Sequence, residues 1–304
     1  MNNNTTVDPK RLPIKTLLAE QKLIIKTKHK ILLARLIQAP IIILRKAIGL
    51  STRITANRAG ICWHLDLHEG IDFAIYLTGR YEPDTVTTMA SLIKSGDVVL
   101  DIGANIGAHT LSMARMVGKE GEVFAFEPTK YAFDKLVANT KLNPNLRSKI
   151  TLNQIMLTSS ENTPLKKEFY SSWPLDPKKQ MHQKHRGKMQ MTSGARVQTL
   201  SGYVNKNKIR NVTLVKIDVD GYEIDVLEGG RDFFINQQPI IIMELAPYTL
   251  EERGKSLCDL LDIVKGMGYC MVDQKSNKPI AMTPEKLKQQ IPEGGSINVI
   301  AKPI

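Results

Sequence analysis

The chain has 304 residues, 42% of them hydrophobic and 24% charged, with three cysteines and a formal net charge of +12. That is the size and balance of a globular protein with one large domain and an appendage, or two small domains. Cys62, Cys258 and Cys270 stand far apart without CxxC or Cys/His spacing, so they read as reduced packing residues and no zinc site is expected.

The charge is unevenly placed. Residues 1–58 hold twelve Lys or Arg against Asp8 and Glu20, so +10 of the +12 lies there. A nucleic-acid enzyme spreads its basic residues around the active site, so no nucleic-acid partner is expected. The N-terminus MNNNTTVDPK is polar and lacks an apolar signal-peptide region, which predicts a cytoplasmic protein.

Residues 1–12 read as disordered. From Ile14, Leu17/Leu18, Ile24/Ile25 and Ile31/Leu32 recur seven apart with lysines between them, predicting an amphipathic helix of about five to six turns ended by Pro40. A second apolar piece, Ile41–Leu50, is broken by Arg45 and Lys46, and neither piece offers the roughly 18 uninterrupted apolar residues of a membrane span. Three arrangements compete for this extension: packing on its own domain, lying on an anionic membrane surface through residues 10–58, or pairing with another subunit as a homo-oligomer. A boundary is expected near residue 58, with residues 59–304 as the catalytic domain.

Ile61, Trp63, Leu65 and Leu67 alternate with polar residues, as in a half-buried strand. The HEG turn and the apolar run Phe73–Leu77 suggest a hairpin partner. GRYEPDT then introduces a helix with Asp84 or Thr85 as N-cap and Val86, Met89, Ala90 and Ile93 buried. Val98–Leu100 is a short apolar run ending in Asp101, followed by glycines at 103 and 107 and a helical stripe of Ile106, Thr110, Leu111, Ala114 and Val117. Strand, glycine-rich bend and helix N-terminus bring backbone N–H groups close to a ligand. Asn105 stands where a dinucleotide fingerprint needs its second glycine. The next strand, Val123–Phe126, stops at Glu127, about 20 residues past the bend, where an acid suits ribose hydroxyls.

Thr129 caps a helix with Ala132, Phe133, Leu136 and Val137 inside, and Ile150–Met156 reads as a third strand. Residues 159–195 lack periodicity and carry seven Lys or Arg between 161 and 191 against three acids, which describes a basic lid or a solvated loop. Arg196–Thr199 is a short strand. Leu214–Ile217 is a buried strand ending in Asp218, with a turn at Gly221 and a helix over Tyr222–Glu228; Lys216, in mid-strand, needs a carboxylate or ligand partner. Ile240–Met243 leads into Glu244, Leu257–Met267 is a helix, and Tyr269–Val272 with Ile297–Ala301 forms an antiparallel pair at the sheet edge.

DIGANIG at 101–107 and KIDVDGYE at 216–223 together resemble the FkbM family of class I S-adenosylmethionine (SAM) methyltransferases, and W-x-L-D-L-x-E-x-I-D with Y-L-x-G-x-Y-E-P before them resembles the stretch such proteins carry ahead of the first motif. The resemblance covers roughly residues 61–301. It departs at Ser201, where the family usually shows Asp after Thr-Leu. It implies a Rossmann-like α/β fold: a seven-stranded, mostly parallel sheet with an antiparallel last strand and helices on both faces, preceded here by the basic helical extension. It implies SAM as cofactor, with Asp101, Gly103, Ala104, Asn105 and Gly107 around its amino-acid part and ribose, Glu127 on the ribose hydroxyls, adenine near Asn153–Met156 with Met156 in contact, and Glu82, beside Tyr81, near the pocket. The implied activity is O-methylation of a hydroxyl on a small-molecule, glycan, lipid-linked or secondary-metabolite acceptor.

Methyl transfer from a sulfonium asks the protein to align two reactants and remove a proton. Asp218, Asp220 and Glu244, from two strand ends, could converge for that task, as could His182 or His185 from the lid. The alternative is a divalent metal held by Asp218 and Glu244. His64, His68 and His109 read as structural. A nicotinamide-dependent oxidoreductase and a non-catalytic membrane-associated binding protein are the competing functions.

Overall fold

The computed structural model of the chain describes residues 27–171, 174–175 and 187–304. The expectations for residues 1–12, for the start of the extension helix and for Trp173, His182 and His185 lie outside the described residues. The chain opens with α1 (Thr27–Ala47), β1 (Arg53–Arg58), β2 (Ile61–Asp66), α2 (Gly70–Thr78) and α3 (Pro83–Leu92). β3 (Val98–Ile102), α4 (Ala108–Met116), β4 (Glu122–Phe126), α5 (Lys130–Lys141), α6 (Pro144–Arg147), β5 (Ile150–Asn153) and β6 (Ile155–Leu157) follow. Next come β7 (Glu168–Ser171), β8 (Lys188–Met191), β9 (Arg196–Gln198), α7 (Leu200–Lys206), β10 (Val212–Ile217), α8 (Glu223–Gly229), α9 (Arg231–Gln237) and β11 (Ile240–Leu245). The last elements are α10 (Pro247–Glu251), α11 (Leu257–Gly266), β12 (Tyr269–Asp273), α12 (Pro284–Gln290) and β13 (Ile297–Pro303).

Seven strands form the central sheet in the order β12-β13-β11-β10-β3-β4-β5. β10 runs parallel to β11 and β3, and β3, β4 and β5 run parallel to one another. β13 is the reversed strand, antiparallel to both β11 and β12. This is the Rossmann-like, mostly parallel arrangement expected from the motifs. Strand order turns back between β3 and β10, and in open α/β sheets ligands bind outside the carboxyl ends of the strands at such a point.

Parallel strands covered on both sides are apolar throughout, and alternate residues feed two cores. Val99, Val123, Ala125 and Leu214 enter one core with Met89, Leu111 and Leu136. Leu100, Ile102, Phe124, Phe126, Val215 and Ile217 enter the other with Leu227, Phe234, Leu260 and Leu261. Lys216 falls on the Leu214 side, in register with Asp101 of β3.

Four local expectations are corrected. The run Phe73–Leu77 is part of helix α2, and the partner of β2 is β1, antiparallel from Arg53↔Asp66 to Arg58↔Ile61. So short an apolar run does not reveal its period; what selects the helix is the anchoring of Asp72, whose carboxylate accepts from the Asp66 N–H (3.2 Å) and from the Lys135 ammonium, before Gly79 ends the element at φ +83°. Pro40 does not end α1, which continues to Ala47. An internal proline costs a helix about 3 kcal/mol, but Ile31 and Ile42 on either side of it are both buried against Leu67, Phe73 and Leu175. Ile150–Met156 is two strands: β5 stays in the central sheet and β6 pairs in parallel with β9. Finally, the N-cap of α3 is Glu82, with Pro83 in the first turn, and Thr85 rather than Ala90 lies inward. At the Ser201 position the helix cap is Thr199, which accepts from Gly202 N–H, while the Ser201 hydroxyl accepts from Phe233 N–H (3.3 Å).

Candidate functional site

The carboxyl ends of β3, β4, β10 and β11 open into a cleft enclosing about 1060 Å³, its solvent-filled mouth included. Its floor is the bend after β3. Gly103 has φ +83° and lies against the turn after β10, where a β-carbon would come within 1.8 Å of the Asp218 carbonyl oxygen. Asn105 also takes a left-handed conformation, φ +48°, which asparagine tolerates better than most residues. Gly103, Ala104 and Asn105 line the cleft. Gly107, φ +91°, caps α4 behind it with its α-carbon close to the Leu136 side chain.

Asp101 and Gly107 are not among the lining residues. Asp101 is fully buried under the bend, its Oδ2 accepting from the Thr110 hydroxyl (2.6 Å) and its Oδ1 without a hydrogen-bond partner among the described residues. Glu127 stands beside the bend, at the end of the neighbouring strand β4. Its Oε2 accepts from the Asn105 N–H (3.0 Å) and its Oε1 from the N–H (2.8 Å) and hydroxyl of Thr129. Burial pushes the Glu127 carboxyl up, and those donors work against the shift. Beyond Glu127 the wall is apolar: Phe126, Ile155, Met156 and Leu157. Met156, from the strand that leaves the central sheet, is among them.

The other end of the cleft is polar and charged. Lys216, 3% exposed, extends its Nζ to Asp218 Oδ2 (3.1 Å). Burial would lower this lysine, but the charges of Asp218, Asp101 and Glu82 hold it above the usual range. Glu82, at φ +45°, accepts from the Thr85 hydroxyl (3.1 Å) and stands 3.4 Å from His109 Nε2. Burial opposes its ionisation, yet His109 and Lys216 hold its carboxyl at about 2. Burial, reinforced by the charge of Asp218, pushes Asp220 and Glu244 up. Glu223, behind the turn, accepts from the N–H groups of Val219 (3.2 Å) and Gly221 (3.3 Å), and burial lifts its carboxyl to about 7.

The structure thus brings Glu82, Asp218, Asp220 and Glu244 to one cleft with Gly103, Ala104, Asn105, Glu127 and Met156. For the metal alternative on Asp218 and Glu244, no group of three or more His, Cys, Asp or Glu side chains among the described residues is placed to hold an ion. Two residues escape the sequence reading. His109, read as structural, lines the cleft in the first turn of α4, 4% exposed, with its Nε2 toward the Glu82 carboxylate and its Nδ1 without a hydrogen-bond partner among the described residues. Its position two residues past Gly107 was the available signal. Tyr222 lines the outer wall with its buried hydroxyl likewise unpartnered. Phe169 meets its ring edge-on at 4.8 Å, and the Arg253 guanidinium, tied to Asp225 (3.0 Å), lies 3.1 Å over it.

A sequence profile described as the methyltransferase FkbM domain matches residues 101–271. The chain is 28% identical over 152 residues to the hexuronic acid methyltransferase AglP of Haloferax volcanii, a match covering 49% of this chain and 56% of that one, so it spans about half the length of this curated relative. Among solved structures, methyltransferase FkbM from Methylobacillus flagellatus matches 73% of this chain and 48% of its own at 16% identity and a TM-score of 0.43. A putative rRNA-methylase from Clostridium thermocellum matches 74% of this chain and 96% of its own at 16% identity and a TM-score of 0.42.

Proposed function

The chain belongs to the FkbM methyltransferase family, and from that premise we propose that it uses SAM to methylate an oxygen of a glycan-type acceptor, with sugars bearing uronic acid units the first class to test. The observation that carries this reading is the clasp between Asn105 N–H and Glu127 Oε2 (3.0 Å), which sets an acid and a backbone bend side by side at the carboxyl ends of two adjacent strands. Two polar atoms of the cleft lining without a hydrogen-bond partner among the described residues, His109 Nδ1 and the Tyr222 hydroxyl, agree with a polar ligand in the cleft.

Glu127 would take the ribose hydroxyls, Phe126, Ile155, Met156 and Leu157 the adenine, and Glu82 with His109 the amino-acid end. SAM supplies a methyl group already activated by its positive sulfur. Asp218 is the proposed base: Lys216 holds its Oδ2, leaving Oδ1 to take the proton of an acceptor hydroxyl. Glu244 and Asp220, both pushed toward the protonated form, donate hydrogen bonds to the acceptor. Tyr222 and Phe169 provide an apolar platform for a sugar ring. The uronic acid class is suggested by the name of the Haloferax volcanii relative.

The test is incubation of the full chain with methyl-labelled SAM and a panel of uronate-containing, neutral and lipid-linked sugars. Label on an acceptor, matched by S-adenosylhomocysteine, supports the reading. Binding of SAM without transfer to any oxygen acceptor refutes the acceptor class, and no binding refutes the cofactor.

A further inference from the structure

Helix α1 has two faces, and internal packing accounts for one of them. Ile31 and Ile42, eleven residues apart, are 7% and 8% exposed and pack with Leu67, Phe73 and Leu175. Between them Gln38 Nε2 donates to the Leu67 carbonyl (2.6 Å) and Arg35 Nε to the Leu175 carbonyl (2.9 Å). With successive residues about 100° apart around the axis, the opposite half of the helix carries Leu32, Leu33, Leu36, Ile37, Ile43 and Leu44, which are 43–67% exposed. From Leu32 to Leu44 no charged residue falls on that half.

We propose that this outer face docks onto an anionic membrane surface, with the helix lying in the plane of the headgroups. Three observations select this occupant. The apolar face spans about half the circumference, wider than the two-position seam through which helices pair. The sequence from residue 21 to 65 carries nine Lys or Arg and no Asp or Glu, which complements anionic headgroups and would repel the same stretch of a second copy. No helix among the described residues is long and apolar enough to cross a bilayer, so the face lies on the surface.

The inward face of the helix is also tied to a residue close in sequence to the cleft lining. Leu175, whose carbonyl Arg35 holds, donates its N–H to His68 O (2.7 Å), and Pro174 bridges to Glu69. Tyr170 and Ser171, shortly before them, line the cleft. The inward face of the helix, opposite the proposed membrane face, is therefore fastened to Leu175, four residues beyond Ser171 of the cleft lining.

Co-sedimentation of the full chain with vesicles of equal parts phosphatidylcholine and phosphatidylglycerol, and with phosphatidylcholine alone, tests the proposal. The chain should pellet with the anionic vesicles and much less with the neutral ones. The triple variant Leu36→Glu, Ile43→Glu, Leu44→Glu should bind anionic vesicles at least about tenfold more weakly with an unchanged melting temperature, because all three side chains already face solvent. Lys46→Glu, exposed beside that face, should weaken binding to anionic vesicles alone. A parent chain that stays in solution with anionic vesicles, or a triple variant that pellets as the parent does, overturns the proposal. So does a lipid-free dimer that the triple variant splits, which would assign the face to a second copy.

Discussion

The carbonyl oxygen of Asp218 lies so close to Gly103 that a β-carbon on Gly103 would sit 1.8 Å from it. Asp218 N–H donates to the Ile102 carbonyl (3.0 Å) at the same crossing, so the bends after β3 and β10 are built against each other. Gly103→Ala should therefore fail in folding before it fails in chemistry. The obstructing atom is backbone and cannot rotate away, and the positive φ adds about 1–2 kcal/mol of its own. The expected loss exceeds about 3 kcal/mol in a urea melt; a loss under about 1 kcal/mol would show that the two bends are free to separate.

Lys216 is the buried cation among Asp218, Asp101 and Glu82. Lys216→Met strands those carboxylates in a poorly solvated place, which costs about 3–5 kcal/mol. Lowering the pH should return part of that loss, because the stranded carboxylates can then take up protons. Urea melts of parent and variant at neutral and mildly acidic pH check this: the gap between them should narrow on acidification.

Glu223 gives a pH dependence of defined sign. Its carboxyl is lifted from 4.5 to about 7 by burial, so between those values the folded chain keeps a proton that the unfolded chain releases. Stability contributed by this group is present below pH 4.5 and is lost as pH rises through 7, by about 3 kcal/mol in all. Glu223→Gln retains the Oε1 atom that accepts from Val219 and Gly221 and does not titrate. Across that window the parent should lose about 3 kcal/mol relative to Glu223→Gln; parallel stability curves would contradict the assignment.

The central sheet was legible because buried parallel strands are short apolar runs punctuated by glycine and ended by acids, as at Val98–Gly107 and Leu214–Gly221. Glu127 could be found by its spacing from the bend, and Lys216 by the cost of a lysine in mid-strand. Features that depend on contacts distant in sequence were hidden. Pro40 sits inside a helix because Ile31 and Ile42 both bury against Leu67, Phe73 and Leu175. α2 forms around an Asp72 carboxylate whose partner Lys135 is 63 residues away. The break between β5 and β6 is a change of sheet, which an apolar pattern does not record. His109 gains its relation to Glu82 only when α3 and α4 pack side by side.

Calorimetric titration of the full chain with S-adenosylhomocysteine, the product left after methyl transfer, tests the cofactor site most directly. One-to-one binding is expected, weakened about 10- to 100-fold in Glu127→Gln, the range of a hydrogen bond to a charged group, with no heat from NAD. A chain giving no saturable heat with either S-adenosylhomocysteine or SAM would contradict the account.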